Sequence, residues 1–243
     1  MKTLLTGRGL VESPRWHGDR LYFSDWSAGE VLAVDLGGQS EVIARVESVP
    51  LCTAWLPDGR LVIVSSPQGR LLRREPDGSV VTHADLGRPG WNDIVIDGRG
   101  NAYVNRADFN PMAGEAARPG TVSLVTPDGQ VREVADDIAF PNGMAVTADN
   151  STLIVADSYR SRLVAFDIAS DGGLSGRRVW ADLGKAPRTA SASTRRTLSG
   201  TPMCPASGAC VWPRAAPCCT PSHWTAAASP APSAGPGGPR CSS

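Results

Sequence analysis

Three oxygen-bearing side chains recur at one place in a repeated strand-turn-strand layout: Glu12, Asn92 and Asn142. Each lies nine to eleven residues ahead of an equivalent strand residue, Leu21, Ala102 and Leu153 respectively, and Leu51 holds the same place ahead of Leu61. A carboxylate and two carboxamides brought to one point form an oxygen-only set. Such a set suits a hard cation, Ca²⁺ or Mg²⁺, better than a thiolate-seeking metal. Singly, each residue has an ordinary explanation. Asn142-Gly143 is a frequent tight-turn dipeptide, Asn92-Asp93 can cap a turn, and a lone Glu12 reads as a solvated surface acid. Their shared position makes them a candidate site.

What must position them is a β-propeller. The clearest repeat is FPNGMAVTADNSTLIVADSY, residues 140–159, which reads as two short strands, 144–147 and 152–156, joined by a polar turn at Asp149-Asn150. The layout recurs at 12–25, 51–65 and 92–105, with spacings of 40, 41 and 51 residues between equivalent positions. That is a blade period of roughly 40 to 50 residues. Third and fourth strands are legible at 30–35 and 41–46, 70–74 and 80–83, 121–126 and 130–134, and 162–168 and 177–181. Asp77-Gly78, Asp128-Gly129 and Asp171-Gly172 supply hairpin chemistry between them. Four blades are therefore complete. In a propeller the innermost strand of each blade begins near the central channel, so equivalent early residues converge on one mouth. Residues 105–119 form the one long loop, placed to overhang that mouth as part of a substrate lid. Thr3 to Leu5 is expected as a strand that closes the ring.

The runs VESPRWHGDRLYFSDW, WNDIVIDGRGNAYVN and AFPNGMAVTADNSTLIVADSY resemble the senescence marker protein / gluconolactonase / regucalcin family, over nearly all of residues 9–184. The resemblance implies an all-β, six-bladed propeller and a metal-dependent lactonase, hydrolysing a sugar lactone or related cyclic ester. It implies one divalent cation, Ca²⁺ first among Ca²⁺, Zn²⁺, Mg²⁺ and Mn²⁺. By the same resemblance Glu12 in ESPRW and Asn142 in FPNG are metal ligands, and Asn92 in WND contacts substrate. The family's remaining ligand and general base is an aspartate in a PDG motif of the next blade, and no such motif follows Asp182. The alternative is a non-catalytic propeller fragment that serves as a binding scaffold, since fold does not fix activity.

Composition divides the chain at about residue 185. All 24 acidic residues lie at or before Asp182, while residues 186–243 carry five Arg and no acid, so a formal net charge of zero joins an acidic body to a basic tail. The tail lacks Asp, Glu, Asn, Gln, Ile, Phe, Tyr and Lys, and holds ten of the 20 prolines and five of the six cysteines. A low-complexity linker, or a zinc site using Cys204, Cys210, Cys218, Cys219 and His223, would account for part of this. Translation out of frame accounts for more. Read one base earlier, with permitted codon choices, Arg188 to Val211 encodes a fifth repeat whose PDG aspartate falls over Thr189. No catalytic residue is then retained, and the encoded part is a domain of about four blades over 1–185. An open ring with unpaired edges is expected to be poorly soluble and nearly inactive.

Other templates are absent: no G-x-S-x-G, phosphate-binding glycine loop or H-E-x-x-H occurs. Basic residues of the body are matched by acids, so no nucleic-acid partner is expected, and no protein partner either. The N-terminal MKTLLTGRGL is too short and too soon interrupted for a signal peptide or membrane span, which points to a cytoplasmic protein. Cys52, the one cysteine of the body, is expected to be a buried thiol, and His17 and His83 to be structural or solvated.

Overall fold

The structure, a computed structural model, describes residues 3–184. The expectations for Thr189, the tail cysteines and the out-of-frame segment lie outside the described residues. Within them the chain forms four antiparallel four-stranded sheets, each used in sequence order. Blade 1 holds β1 (Val11–His17), β2 (Arg20–Asp25), β3 (Glu30–Val34) and β4 (Ser40–Arg45). Blade 2 holds β5 (Leu51–Trp55), β6 (Leu61–Ser65), β7 (Arg70–Arg74) and β8 (Val80–Asp85). Blade 3 holds β9 (Trp91–Ile96), β10 (Ala102–Arg106), β11 (Gly120–Val125) and β12 (Val131–Ile138). Blade 4 holds β13 (Pro141–Val146), β14 (Thr152–Asp157), β15 (Arg162–Ile168) and β16 (Leu174–Asp182). This is the four-bladed part of an all-β propeller, and the first strands of successive blades lie side by side around the channel.

The blades cohere through apolar layers between them rather than within any one sheet. Val31, Leu51, Leu61 and Ile63 pack between blades 1 and 2. Val62, Val64, Leu71, Ile94 and Val104 fill the next interface, and Tyr103, Leu124, Leu153, Val155 and Phe166 the third. The inner strands β3 and β6, buried on both faces, are nearly continuous in Val, Leu and Ile. Outer strands such as β4 and β8 are exposed or half-buried apart from one buried residue each, Ala44 and Ala84. At the hairpin tips an aspartate accepts the N–H two residues on, as Asp77 does from Ser79 N at 2.9 Å and Asp171 from Gly173 N at 2.9 Å. Gly129 shows why the tip needs glycine: φ is +85°, and a Cβ there would stand 3.0 Å from His83 O.

Two expectations change. Residues 3–6 form no strand, and Leu4 O instead lies against Gly38, in the turn between β3 and β4. Asn105 and Arg106 belong to β10 rather than to the long loop, because they continue its pairing, opposite Val122 and Thr121 of β11. The loop proper spans 107–119 and includes one 3-10 turn, Pro111–Ala113.

Candidate metal and substrate site

The first strand of a blade is regular only in blade 2. There Leu51, Cys52 and Thr53 face Ser65, Val64 and Ile63 one for one. In blade 4, Pro141 faces Asp157 and Met144 faces Val155, so Asn142 and Gly143 together oppose Ala156. In blade 3, Trp91 faces Arg106 and Ile94 faces Val104, so Asn92 and Asp93 together oppose Asn105. In blade 1, Glu12 faces Ser24 and Arg15 faces Tyr22, so Ser13 and Pro14 together oppose Phe23. Each of these three strands carries one extra residue at the channel end, a β-bulge, the device that re-aims side chains beside functional sites. Ser13 sits at φ +53° inside its bulge. Proline enters these strands at Pro14 within a bulge and at Pro141 as a first residue, the two places where its missing N–H is tolerated.

The bulge also corrects the sequence register. Cys52, not Leu51, is the blade 2 counterpart of Asn142, because the ladder pairs Leu51 with Ser65 as it pairs Pro141 with Asp157. Cys52 is buried, which pushes its thiol well above the usual range.

Asn92 and Asn142 meet directly: Asn92 Nδ2 donates to Asn142 Oδ1 at 3.3 Å and to Pro141 O at 3.5 Å. Glu12 is half-buried, and burial raises its carboxyl above the ordinary value. An N–H from Ser13 opposes the rise and the nearby Asp93 charge adds to it. Sequence reasoning passed over three residues that hold these side chains. Asp93 is 4% exposed, and its carboxylate accepts Arg15 Nη2 at 3.1 Å and Met144 N at 3.1 Å. Asn105, fully buried, accepts Asp93 N at 3.2 Å through Oδ1 and donates from Nδ2 to Asn142 O at 2.5 Å. Arg15 donates a further bond to Ile94 O at 3.0 Å. Asp93 was visible in WND and Arg15 in ESPRW, but nothing in the sequence linked them.

The donor chemistry fits a hard cation. Among the described residues no cationic side chain forms an ion pair with Glu12, whose carboxylate is met by the Ser13 N–H, while Asn92 and Asn142 bring their carboxamides together. Among the described residues no three His, Cys, Asp or Glu side chains converge.

Beside the mouth, Phe140 stacks on Tyr159 at 4.8 Å and Phe109, from the 107–119 loop, packs on both at 5.8 and 5.7 Å. This triad anchors the loop to the rim of blade 4. Phe109→Ala removes both contacts, worth about 0.5–1.5 kcal/mol each, so hydrogen exchange in residues 108–118 is expected to speed up on the order of tenfold, measured by mass spectrometry. His17 stacks on Trp55 at 4.5 Å and His83 meets Arg73 at 3.2 Å, both away from this cluster and both structural. No helix among the described residues is long and apolar enough to cross a membrane.

A propeller whose bulged first strands carry oxygen donors at their channel ends defines the class. The chain belongs to the SMP-30/Gluconolactonase/LRE-like family, whose sequence pattern matches residues 10–196. It is 29% identical over 175 residues to diisopropyl-fluorophosphatase of Loligo vulgaris, covering 63% of this chain and 55% of that protein. It is 27% identical over 139 residues to virginiamycin B lyase of Nocardia farcinica, covering 56% and 45%. The chain thus spans about half the length of these curated relatives. Its fold resembles a gluconolactonase from Xanthomonas campestris, with TM-score 0.61, 24% identity and coverage of 76% and 66%. It also resembles the calcium-binding protein regucalcin of Agrobacterium tumefaciens, with TM-score 0.58, 22% identity and coverage of 73% and 61%.

Proposed function

We propose that this chain carries the site of a lactonase-type hydrolase acting on a sugar lactone or related cyclic ester. Glu12 and Asn142 hold a divalent cation, Ca²⁺ foremost, and Asn92 contacts substrate. The observation that carries this reading is the bulge pattern: the three blades with oxygen donors each have the extra residue, and blade 2, with Cys52, does not. A bound cation would polarise the ester carbonyl and stabilise negative charge developing on its oxygen. The chain's own residues supply the rest. Glu12 brings the one negative charge at the cation position. Asn92 Nδ2, which now donates to Asn142 Oδ1, can turn to a substrate oxygen and so release Asn142 Oδ1 as a ligand. Because no PDG aspartate follows Asp182 to take the proton from attacking water, the reading includes that the chain as written is a defective copy, in a cytoplasmic setting.

The test is thermal. At about 100 times its Kd a ligand adds about 2.7 kcal/mol, roughly 5–10 °C in Tm for a domain of this size. Calcium is expected to give such a shift, and Glu12→Gln to abolish it. A calcium shift unaffected by Glu12→Gln would place the ion elsewhere and defeat the reading. If calcium and a sugar lactone both raise Tm while a frame-corrected chain shows no turnover, the propeller is a binding scaffold instead.

A further inference from the structure

We infer that Asp93 is a positioning residue: one buried carboxylate locks the channel-end segments of blades 1, 3 and 4 together and thereby sets where Glu12, Asn92 and Asn142 stand. The inference builds on the proposed cation and lactone site but concerns the geometry of the metal-free chain. Asp93 is itself the second residue of the blade 3 bulge, next to Asn92. Its Oδ1 accepts Arg15 Nη2 at 3.1 Å, and Arg15 is the first paired residue after the bulge in β1, three positions from Glu12. Its Oδ2 accepts Met144 N at 3.1 Å, and Met144 is the first paired residue after the bulge in β13, two positions from Asn142. Its own N–H donates to Asn105 Oδ1 at 3.2 Å, and Asn105 Nδ2 donates in turn to Asn142 O at 2.5 Å.

Each oxygen of one side chain therefore fixes the exit of a different bulge, and both bulges belong to blades that carry a candidate ligand. A bulge leaves ladder groups unpaired, and here Asp93 and Asn105 pair them. The regular strand β5 needs no such partner, and among the described residues Asp93 makes no hydrogen bond to it. Outer partners that orient ligands in this way commonly change metal affinity 10–100-fold when altered. Removing the charge of Asp93 while keeping its shape should let the mouth segments shift independently.

The experiment compares the native chain with Asp93→Asn, Arg15→Lys and a control, Leu71→Ala, which opens a cavity in the layer between blades 2 and 3 and removes none of the hydrogen bonds of Asp93. The first readout needs no metal: the side-chain amide NMR signals of Asn92 and Asn142, assigned by single substitution. They are expected to move or broaden in Asp93→Asn and Arg15→Lys and to stay in place in Leu71→Ala, although that variant melts lower. The second is tryptophan-sensitised terbium luminescence, whose Kd is expected to weaken on the order of 10–100-fold in Asp93→Asn and to hold in Leu71→Ala. Unmoved amide signals, or a terbium Kd within about twofold of native in a chain that binds the ion, overturn the inference and leave Asp93 a stabilising ion pair. If the native chain gives no terbium signal that Glu12→Gln removes, yet the amide signals still move, the cation reading falls and the positioning role stands.

Discussion

Correcting one base near codons 184–188 is expected to raise lactone hydrolysis about 10²–10⁴-fold over the chain as written, the usual contribution of a positioned general base. The chain already encodes Glu12, Asn92 and Asn142, and its structure joins the two carboxamides and holds their strands through Asp93. What the written sequence lacks is a carboxylate where Thr189 stands, a residue outside the described part. The measurement is proton release from glucono-δ-lactone at saturating calcium, with the native chain and the corrected chain side by side. A third sample, the corrected chain with that aspartate changed to asparagine, separates the base from the added blades. Equal rates in the native and corrected chains would remove the aspartate from the mechanism. A high rate in the asparagine control would show that the added blades act by completing the fold.

Asp157→Ala is expected to destabilise the protein by about 3–5 kcal/mol, the range for breaking a buried ion pair from one side. Asp157 is fully buried at the end of β14. Its carboxylate accepts Ala139 N at 2.9 Å, Phe140 N at 3.4 Å, Arg162 Nε at 3.1 Å and Arg160 Nη1 at 3.5 Å. It thus clamps the approach to β13 just ahead of Asn142. Asp25, at the same place in blade 1, does likewise with Gly9 N at 3.3 Å and Ser27 N at 3.0 Å. Urea denaturation of Asp157→Ala and Asp157→Asn is the check. The asparagine keeps an acceptor for the two N–H groups and should lose less. A loss below about 1 kcal/mol for the alanine would mean that the arginines find new partners.

Strand order and blade period were legible because they rest on local chemistry: the continuous Val, Leu and Ile of β6, the apolar Leu163 to Phe166 of β15, and Asp-Gly at the tips. The polar mouth was legible as a position, from Glu12, Asn92 and Asn142. Its mechanism was not, because a bulge adds one residue without changing residue type, and register is a property of two strands at once. Counting from Leu61 therefore placed Leu51 where the ladder places Cys52. Asn105 was hidden for a related reason: an asparagine ahead of a loop rich in Pro, Gly and Ala reads as turn chemistry. Only the fold shows it filling the gap that the bulge in β9 opens. The expected strand at Thr3 to Leu5 failed because short apolar runs carry no partner information.

The extra residue has a use beyond aiming side chains. Past each bulge the in-and-out alternation of the strand resumes, so Met144 and Val155 still face each other as Thr53 and Ile63 do in the strand without one. Chemistry at the mouth and packing between blades are thereby written in separate stretches of the same strand. A propeller built this way can exchange the ligand it presents on one blade while the apolar layers that hold the ring keep their phase.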